Sequence, residues 1–203
     1  MLPCKTPYPH RQRSDRLIRY NTLINACAGA GDLEKALDTV ATMHSEGVAP
    51  NVITYTSLIK ACGTNGGEGM VALAEEIFSA MQQRTNHFST YVEPSELTYR
   101  RLMQVHLYAG AGATAEDTSR VWELWREMLE RGIRPGVAVC RSCVRAARIG
   151  MDVDRALGYI EYIRRSTPQK FDHKSWSMAA QLCSACGRVD DEKRLRREMS
   201  SNR

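Results

Sequence analysis

Two cysteine pairs, Cys140-x-x-Cys143 and Cys183-x-x-Cys186, have the spacing at which thiolates grip a metal. Two such pairs make a tetrahedral zinc site when about 15 to 20 residues separate them. Here 39 residues intervene. On helices, the first pair falls early in one and the second a turn or two later in another, an offset on the order of 10 Å at ~1.5 Å rise per residue. Cys27, Cys62 and Cys183 occupy equivalent places in a recurring pattern. Small thiols filling helix seams account for them, and no metal or cofactor is expected.

A second constellation is basic. Arg141, Arg145 and Arg148 stand at i, i+4 and i+7, which puts them on one stripe of a helix. With Lys60 and Arg100 they suit a polyanion, because a guanidinium fork matches phosphate oxygens and stacks on bases. The formal net charge of +5 permits such a partner without requiring it. The competing reading is a solvated helix face. His10, His44, His87, His106 and His173 have no Cys or carboxylate at ligand or triad spacing. No phosphate loop, His-Glu-x-x-His or nucleophile elbow occurs, so no enzyme is expected. Trp122 and Trp125, three apart, read as packing.

These residues ride on a repeat. Tyr20, Leu23, Ile24 and Cys27 form one apolar helix face, ended by Gly29 and Gly31. Asp32 caps a second helix through Leu33, Ala36, Leu37, Val40 and Met43, which Gly47 closes and Pro50 prevents from continuing. Such a short pair is unstable alone and needs neighbours. "ITYTSLIKACG" repeats "IRYNTLINACAG", "AEEIFSAMQQR" repeats "ALDTVATMHSEG", and three further copies follow, the last incomplete. The repeats run over 17–51, 52–95, 96–136, 137–172 and 173–203. The first is 35 residues long, the second nine longer and the third six longer, with the insertions in turns. The expected fold is all-α, a right-handed α-solenoid of stacked helix-turn-helix repeats filling 17–203.

Residues 1–16 read as a basic tail, the remnant of a targeting leader or plain solvated charge. Apolar residues at 43% and charged ones at 25% fit an ordered domain. Seven Cys, an odd number, without a secretory signal point to free thiols in a reducing compartment. No apolar run approaches the roughly 20 residues that span a bilayer, so membrane insertion is not expected.

A unit that begins Val/Ile-x-Tyr-Asn/Thr-x-Leu-Ile, turns on Gly, carries "EKAL" or "EEIF" and then Met, and ends Gly-Val/Ile-x-Pro resembles the pentatricopeptide repeat. The likeness covers 17–203, strongest in the first two copies and the second half of the third. It implies single-stranded RNA binding in the mitochondrion, or alternatively the plastid, with one base per repeat read by two side chains. Those are the residue after the first-helix Tyr and the last residue of the unit. They are Asn21 and Asn51 in the first copy, a pair linked with a pyrimidine, cytosine preferred. In the second copy they are Thr56, which suits a purine, and Ser95, which departs from the usual Asn or Asp. Ile18, Ile53 and Leu97 match the residue that sandwiches each base, and Ala138 takes that place later. Arg100 with Gly136, and Arg141 with about Asp172, replace the reading pair in the third and fourth copies. An Arg there favours a phosphate or a stacked base. The groove thus passes from amides, Asn21 and Asn25, to the RNA-backbone set Lys60, Arg100, Arg141, Arg145 and Arg148.

Three functions are compatible with this. The first is a non-catalytic RNA binder in organellar transcript stabilisation, processing or translation. The second is a structural subunit clamping RNA in an organellar ribosome or other large ribonucleoprotein. The third is a helical scaffold for protein. The implied partners are single-stranded or ribosomal RNA, and proteins of a ribonucleoprotein complex covering the solenoid ends, because terminal repeats need polar caps.

Overall fold

The computed structural model describes residues 9–67, 69–83, 91–108, 113–166 and 173–201. Ten helices, five hairpins, make up the described residues: α1 (Pro9–Ala30), α2 (Leu33–Ser45), α3 (Val52–Asn65), α4 (Met70–Gln82), α5 (Glu96–Tyr108), α6 (Ala115–Glu130), α7 (Val137–Ile149), α8 (Val153–Ser166), α9 (His173–Ala185) and α10 (Val189–Ser201). The fold class is the expected one, all-α and built of α-solenoid hairpins.

The local chemistry explains the boundaries. Asp32 caps α2 by accepting from the Lys35 backbone N–H at 3.0 Å, and Gly47 leaves it with φ of 68°. Asn51 caps α3, and Thr114 caps α6 with Asp117 reciprocating as a capping box. One boundary departs from the sequence reading. Helix α1 starts at Pro9, inside the stretch 1–16 read as a tail. Proline is at home as the first helical residue, where its missing N–H costs nothing and its φ is already helical. Residues 1–8, Asp172 and His87 lie outside the described residues.

The packing forms two units, Met1–Pro94 and Ser95–Arg203. In the first, α1 lies against α3, with α2 contacting both and α4 on α3. Ile24, Ala28, Met43, Ile59, Cys62 and Met81 form its core. In the second, α5, α7 and α9 pack in sequence as first helices; α6 touches α5 and α7, and α8 touches α7 and α9. Tyr99, Leu102, Leu124, Met128, Cys143 and Val144 are buried there. The first-helix Tyr has a polar purpose as well. Tyr99 donates at 2.8 Å to Glu127 Oε1, which also pairs with Arg131. Tyr20 likewise bonds to Glu46, which pairs with Arg16, and these two partners hold the Glu46 carboxyl below its ordinary value.

Two further contacts bear on the sequence reading. His106, read as lacking a carboxylate partner, meets Asp117: Nδ1 stands 2.9 Å from Oδ1 in a largely buried pair. The insertion between α5 and α6 hid this, since 11 residues separate the two. Trp125 is buried and Trp122 half-buried, as packing residues, with Trp122 stacked on Tyr159 and Trp125 edge-on to Tyr159 and Tyr162. No helix among the described residues is long and apolar enough to cross a membrane.

Candidate nucleic-acid interface

The amides implied as base readers meet at the junction of the first two hairpins. Asn21 lies one turn after Ile18 on α1, and Asn51 ends the first unit as the cap of α3. Asn21 Nδ2 donates to Asn51 Oδ1 at 3.1 Å. Asn51 Oδ1 also accepts from the backbone N–H groups of Ile53 and Thr54, and Thr54 Oγ1 donates to Asn21 Oδ1 at 2.6 Å. Asn21 is therefore only 7% exposed. Ile18 and Ile53, by contrast, stand 59% and 53% exposed, which is unusual for Ile and gives the amide pair apolar flanks open to a ligand. One turn further along, Lys60 Nζ donates to Asn25 Oδ1 at 3.0 Å, and Thr64 Oγ1 reaches the Ala28 carbonyl at 2.7 Å. These bonds tie α3 to α1 along their shared edge.

Thr56 is buried in the first unit, whereas Ser95 opens the second, where its Oγ and backbone N–H bond to Thr98 Oγ1 at 3.0 and 3.1 Å. Leu97 is 42% exposed, like the two Ile. Ala138, at the equivalent place on α7, is half-buried.

The second unit presents guanidinium instead of amide. Arg100, Arg141 and Arg145 are half-buried and Arg148 is exposed. Gly136, opposite Arg100 in the reading pattern, donates its N–H to Glu96 Oε1 at 3.3 Å and caps α7 without a side chain. Arg145 lies over the Tyr108 ring, 4.0 Å from its centre. Burial, and then the charge of Arg100, push the Arg101 guanidinium below its ordinary value.

Charge divides between the two helices of each hairpin. Asp15 and Glu96 are the only carboxylates on the first helices α1, α3, α5, α7 and α9, whereas every second helix carries at least two. Several arginines of the second helices are neutralised locally, as in Arg120–Glu123, Arg155–Asp152, Arg165–Glu161 and Arg196–Glu192. Among the described residues, Arg100, Arg145 and Arg148 have no carboxylate at ion-pair distance, and the Nε atoms of Arg100 and Arg145 are buried without a hydrogen bond. A buried donor left unsatisfied is costly, so these groups favour an incoming anion.

The cysteines sit differently. Cys27, Cys62, Cys140, Cys143 and Cys183 are buried in helix seams, while Cys186 is exposed. Burial raises the Cys62 thiol to about 11 and pushes Cys143 well up, so both stay as thiols, whereas zinc requires thiolate. No three His, Cys, Asp or Glu side chains gather as a metal cage among the described residues.

Sequence reasoning missed three contacts here: Thr54 on Asn21, Arg145 on Tyr108, and His106 on Asp117. The Asn51-x-x-Thr54 spacing, a capping-box signature, was the available signal for the first.

Residues 17–64 match the PPR repeat family. The Arabidopsis thaliana pentatricopeptide repeat-containing protein At2g22070 is 28% identical over 187 residues, 92% of this chain and 21% of its own length. A second Arabidopsis relative, the mitochondrial pentatricopeptide repeat-containing protein At1g06140, is 27% identical over 154 residues, 76% of this chain and 25% of its own. Others are named as chloroplastic. The chain thus spans about a fifth to a quarter of these two relatives. Among solved structures, the PPR domain of Arabidopsis thaliana protein-only RNase P 1, crystallised with tRNA, superposes with a TM-score of 0.70 at 15% identity, over 88% of this chain and 86% of that one. That likeness concerns the fold. Sequence similarity along most of the chain, carried on helix pairs that use the repeat's own residues, makes this chain similar to pentatricopeptide repeat proteins, with the PPR repeat itself matched over 17–64.

Proposed function

We propose that this chain is a non-catalytic single-stranded RNA-binding protein of organellar RNA metabolism, acting on a transcript's stability, processing or translation. The observation that carries the reading is the amide pair Asn21–Asn51 between the exposed Ile18 and Ile53. Amides read base edges, and apolar side chains on either side exclude water from a stacked base. Thr56 in the first unit, and Ser95 and Leu97 in the second, are the further base-contacting residues. Lys60, Arg100, Arg141, Arg145 and Arg148 bind phosphates, consistent with the near absence of carboxylates from the first helices. Relatives named as mitochondrial and as chloroplastic support an organelle, with the mitochondrion our first choice.

A second reading, a subunit that clamps ribosomal or other structured RNA inside a ribonucleoprotein, draws on the second unit. There the reading positions hold Arg100, Gly136 and Arg141, groups that hold backbone rather than discriminate bases. Protein neighbours would then cover the ends of the repeat array.

Ultraviolet crosslinking of the protein to RNA in intact organelles, followed by sequencing, tests both. Reads clustered on one transcript support the first reading, and reads confined to ribosomal RNA support the second. Absence of RNA hands the surface to a protein ligand.

A further inference from the structure

The Asn21 amide has its two faces assigned by the protein. Its Oδ1 accepts from Thr54 Oγ1 at 2.6 Å in a buried contact, and its Nδ2 donates to Asn51 Oδ1 at 3.1 Å. Asn51 Oδ1 is fixed as an acceptor, because the backbone N–H groups of Ile53 and Thr54 point at it from 3.0 and 3.2 Å. The Thr54 hydroxyl is fixed as well. Its oxygen accepts the Asn51 backbone N–H at 3.1 Å, and its own proton goes to Asn21 Oδ1 at 2.6 Å in preference to Asn51 Oδ1, which stands further off at 3.2 Å.

Turning the Asn21 amide over would set its oxygen against Asn51 Oδ1, two acceptors at 3.1 Å, and would leave the hydroxyl proton facing an N–H. The bonds therefore run one way, and both amides turn their carbonyls inward and keep N–H hydrogens for a ligand. Two neighbouring donors suit two neighbouring acceptors. Cytosine offers these at O2 and N3, whereas uracil carries an N–H between its two carbonyls.

We infer that Thr54 is a positioning residue for base recognition, holding Asn21 in the polarity that admits cytosine and disfavours uracil; this rests on the reading of Asn21 and Asn51 as base-contacting residues. The hydroxyl acts through Asn21 and touches no base itself. Without it, Asn21 Oδ1 becomes a buried acceptor in search of a donor, and the N3–H of uracil supplies one. At the α5–α7 junction no such device exists, because Val139 stands where Thr54 does and Gly136 where Asn51 does.

The test uses the full chain and short oligoadenylates with a single central cytidine or uridine, read by fluorescence anisotropy. The wild-type protein should prefer the cytidine probe, and Thr54→Ser, which keeps the hydroxyl, should keep that preference. Thr54→Val, which keeps the shape, should reduce the cytidine-to-uridine affinity ratio by about fivefold, the worth of one net hydrogen bond. A Thr54→Val ratio equal to wild type overturns the inference. Asn21→Leu separates the two levels of the argument. If it loses the preference while Thr54→Val keeps it, positioning by Thr54 is wrong and base reading stands; if it keeps the preference, base reading at this pair is wrong and the inference falls with it. Should Thr54→Val not fold, the Asn21 side-chain amide resonances of the wild-type protein decide: one slowly exchanging proton is expected, and a freely averaged pair overturns the assignment.

Discussion

Replacing Arg141 and Arg145 together by glutamine removes two of the five groups proposed to bind phosphate, leaving Lys60, Arg100 and Arg148. Each phosphate neutralised on a single strand contributes about 0.7 to the slope of log affinity against log salt, so five contacts give a slope of about 3.5 and three give about 2.1. Between about 50 and about 200 mM salt the wild-type protein should then lose about 130-fold in affinity and the double variant about twentyfold. Anisotropy of a labelled single-stranded RNA over a salt titration reads both slopes. Arg145 also packs on Tyr108 at 4.0 Å, a contact worth about 0.5 to 1 kcal/mol, so the thermal midpoint must be followed in parallel. A folded double variant with the wild-type slope would place the phosphates elsewhere.

Other outcomes follow from local geometry. Asn51→Ala removes the α3 cap and the acceptor of Asn21, and should lower unfolding free energy in urea by about 1 kcal/mol or more. Gly47→Ala, at φ of 68°, should cost about 1 to 2 kcal/mol, whereas Gly158→Ala on α8, where no atom lies within 4 Å of the added carbon, should stabilise by about 0.5 to 1 kcal/mol. A reversed order in calorimetry would contradict the backbone argument. Leu102→Ala, in the core between α5 and its neighbours, should cost about 2 to 5 kcal/mol by urea titration. For Asp117, burial works to raise the carboxyl, but hydrogen bonds from the Thr114 backbone, His106 and the Thr114 hydroxyl outweigh it and hold the group below its ordinary value. Its contribution to stability is complete above the ordinary carboxylate value and is lost as pH falls through the lower folded value. Asp117→Asn should therefore flatten the acid limb of the stability profile, and an unchanged limb would count against the pair.

The hairpins were legible because they are written in period and punctuation. The apolar spacing from Tyr20 to Cys27 gave the face, and Asp32 and Gly47 fell where the side-chain cap and the positive φ stand. The beginning of α1 was not legible, since 9–16 has few apolar residues to carry a period and prolines on its approach. At the interface, residue types could be placed on a face, and the resemblance paired Asn21 with Asn51. What no period reveals is the direction of hydrogen bonds among Asn21, Asn51 and Thr54, which is set by a cap between helices of different hairpins. The same holds for Arg145 and Tyr108, which meet only after α5 and α7 pack, and for His106 and Asp117, brought together by a turn of variable length.

The seam cysteines give the molecule an internal clock. Alkylating reagents and peroxide attack thiolate, and a buried thiol raised to about 11, as at Cys62, holds almost none at neutral pH. Of the described cysteines, Cys186 alone should react while the hairpins stay closed. The others become available only as their seams part, so the order in which they take up a mass tag would chart which junction of the array opens first, and how often.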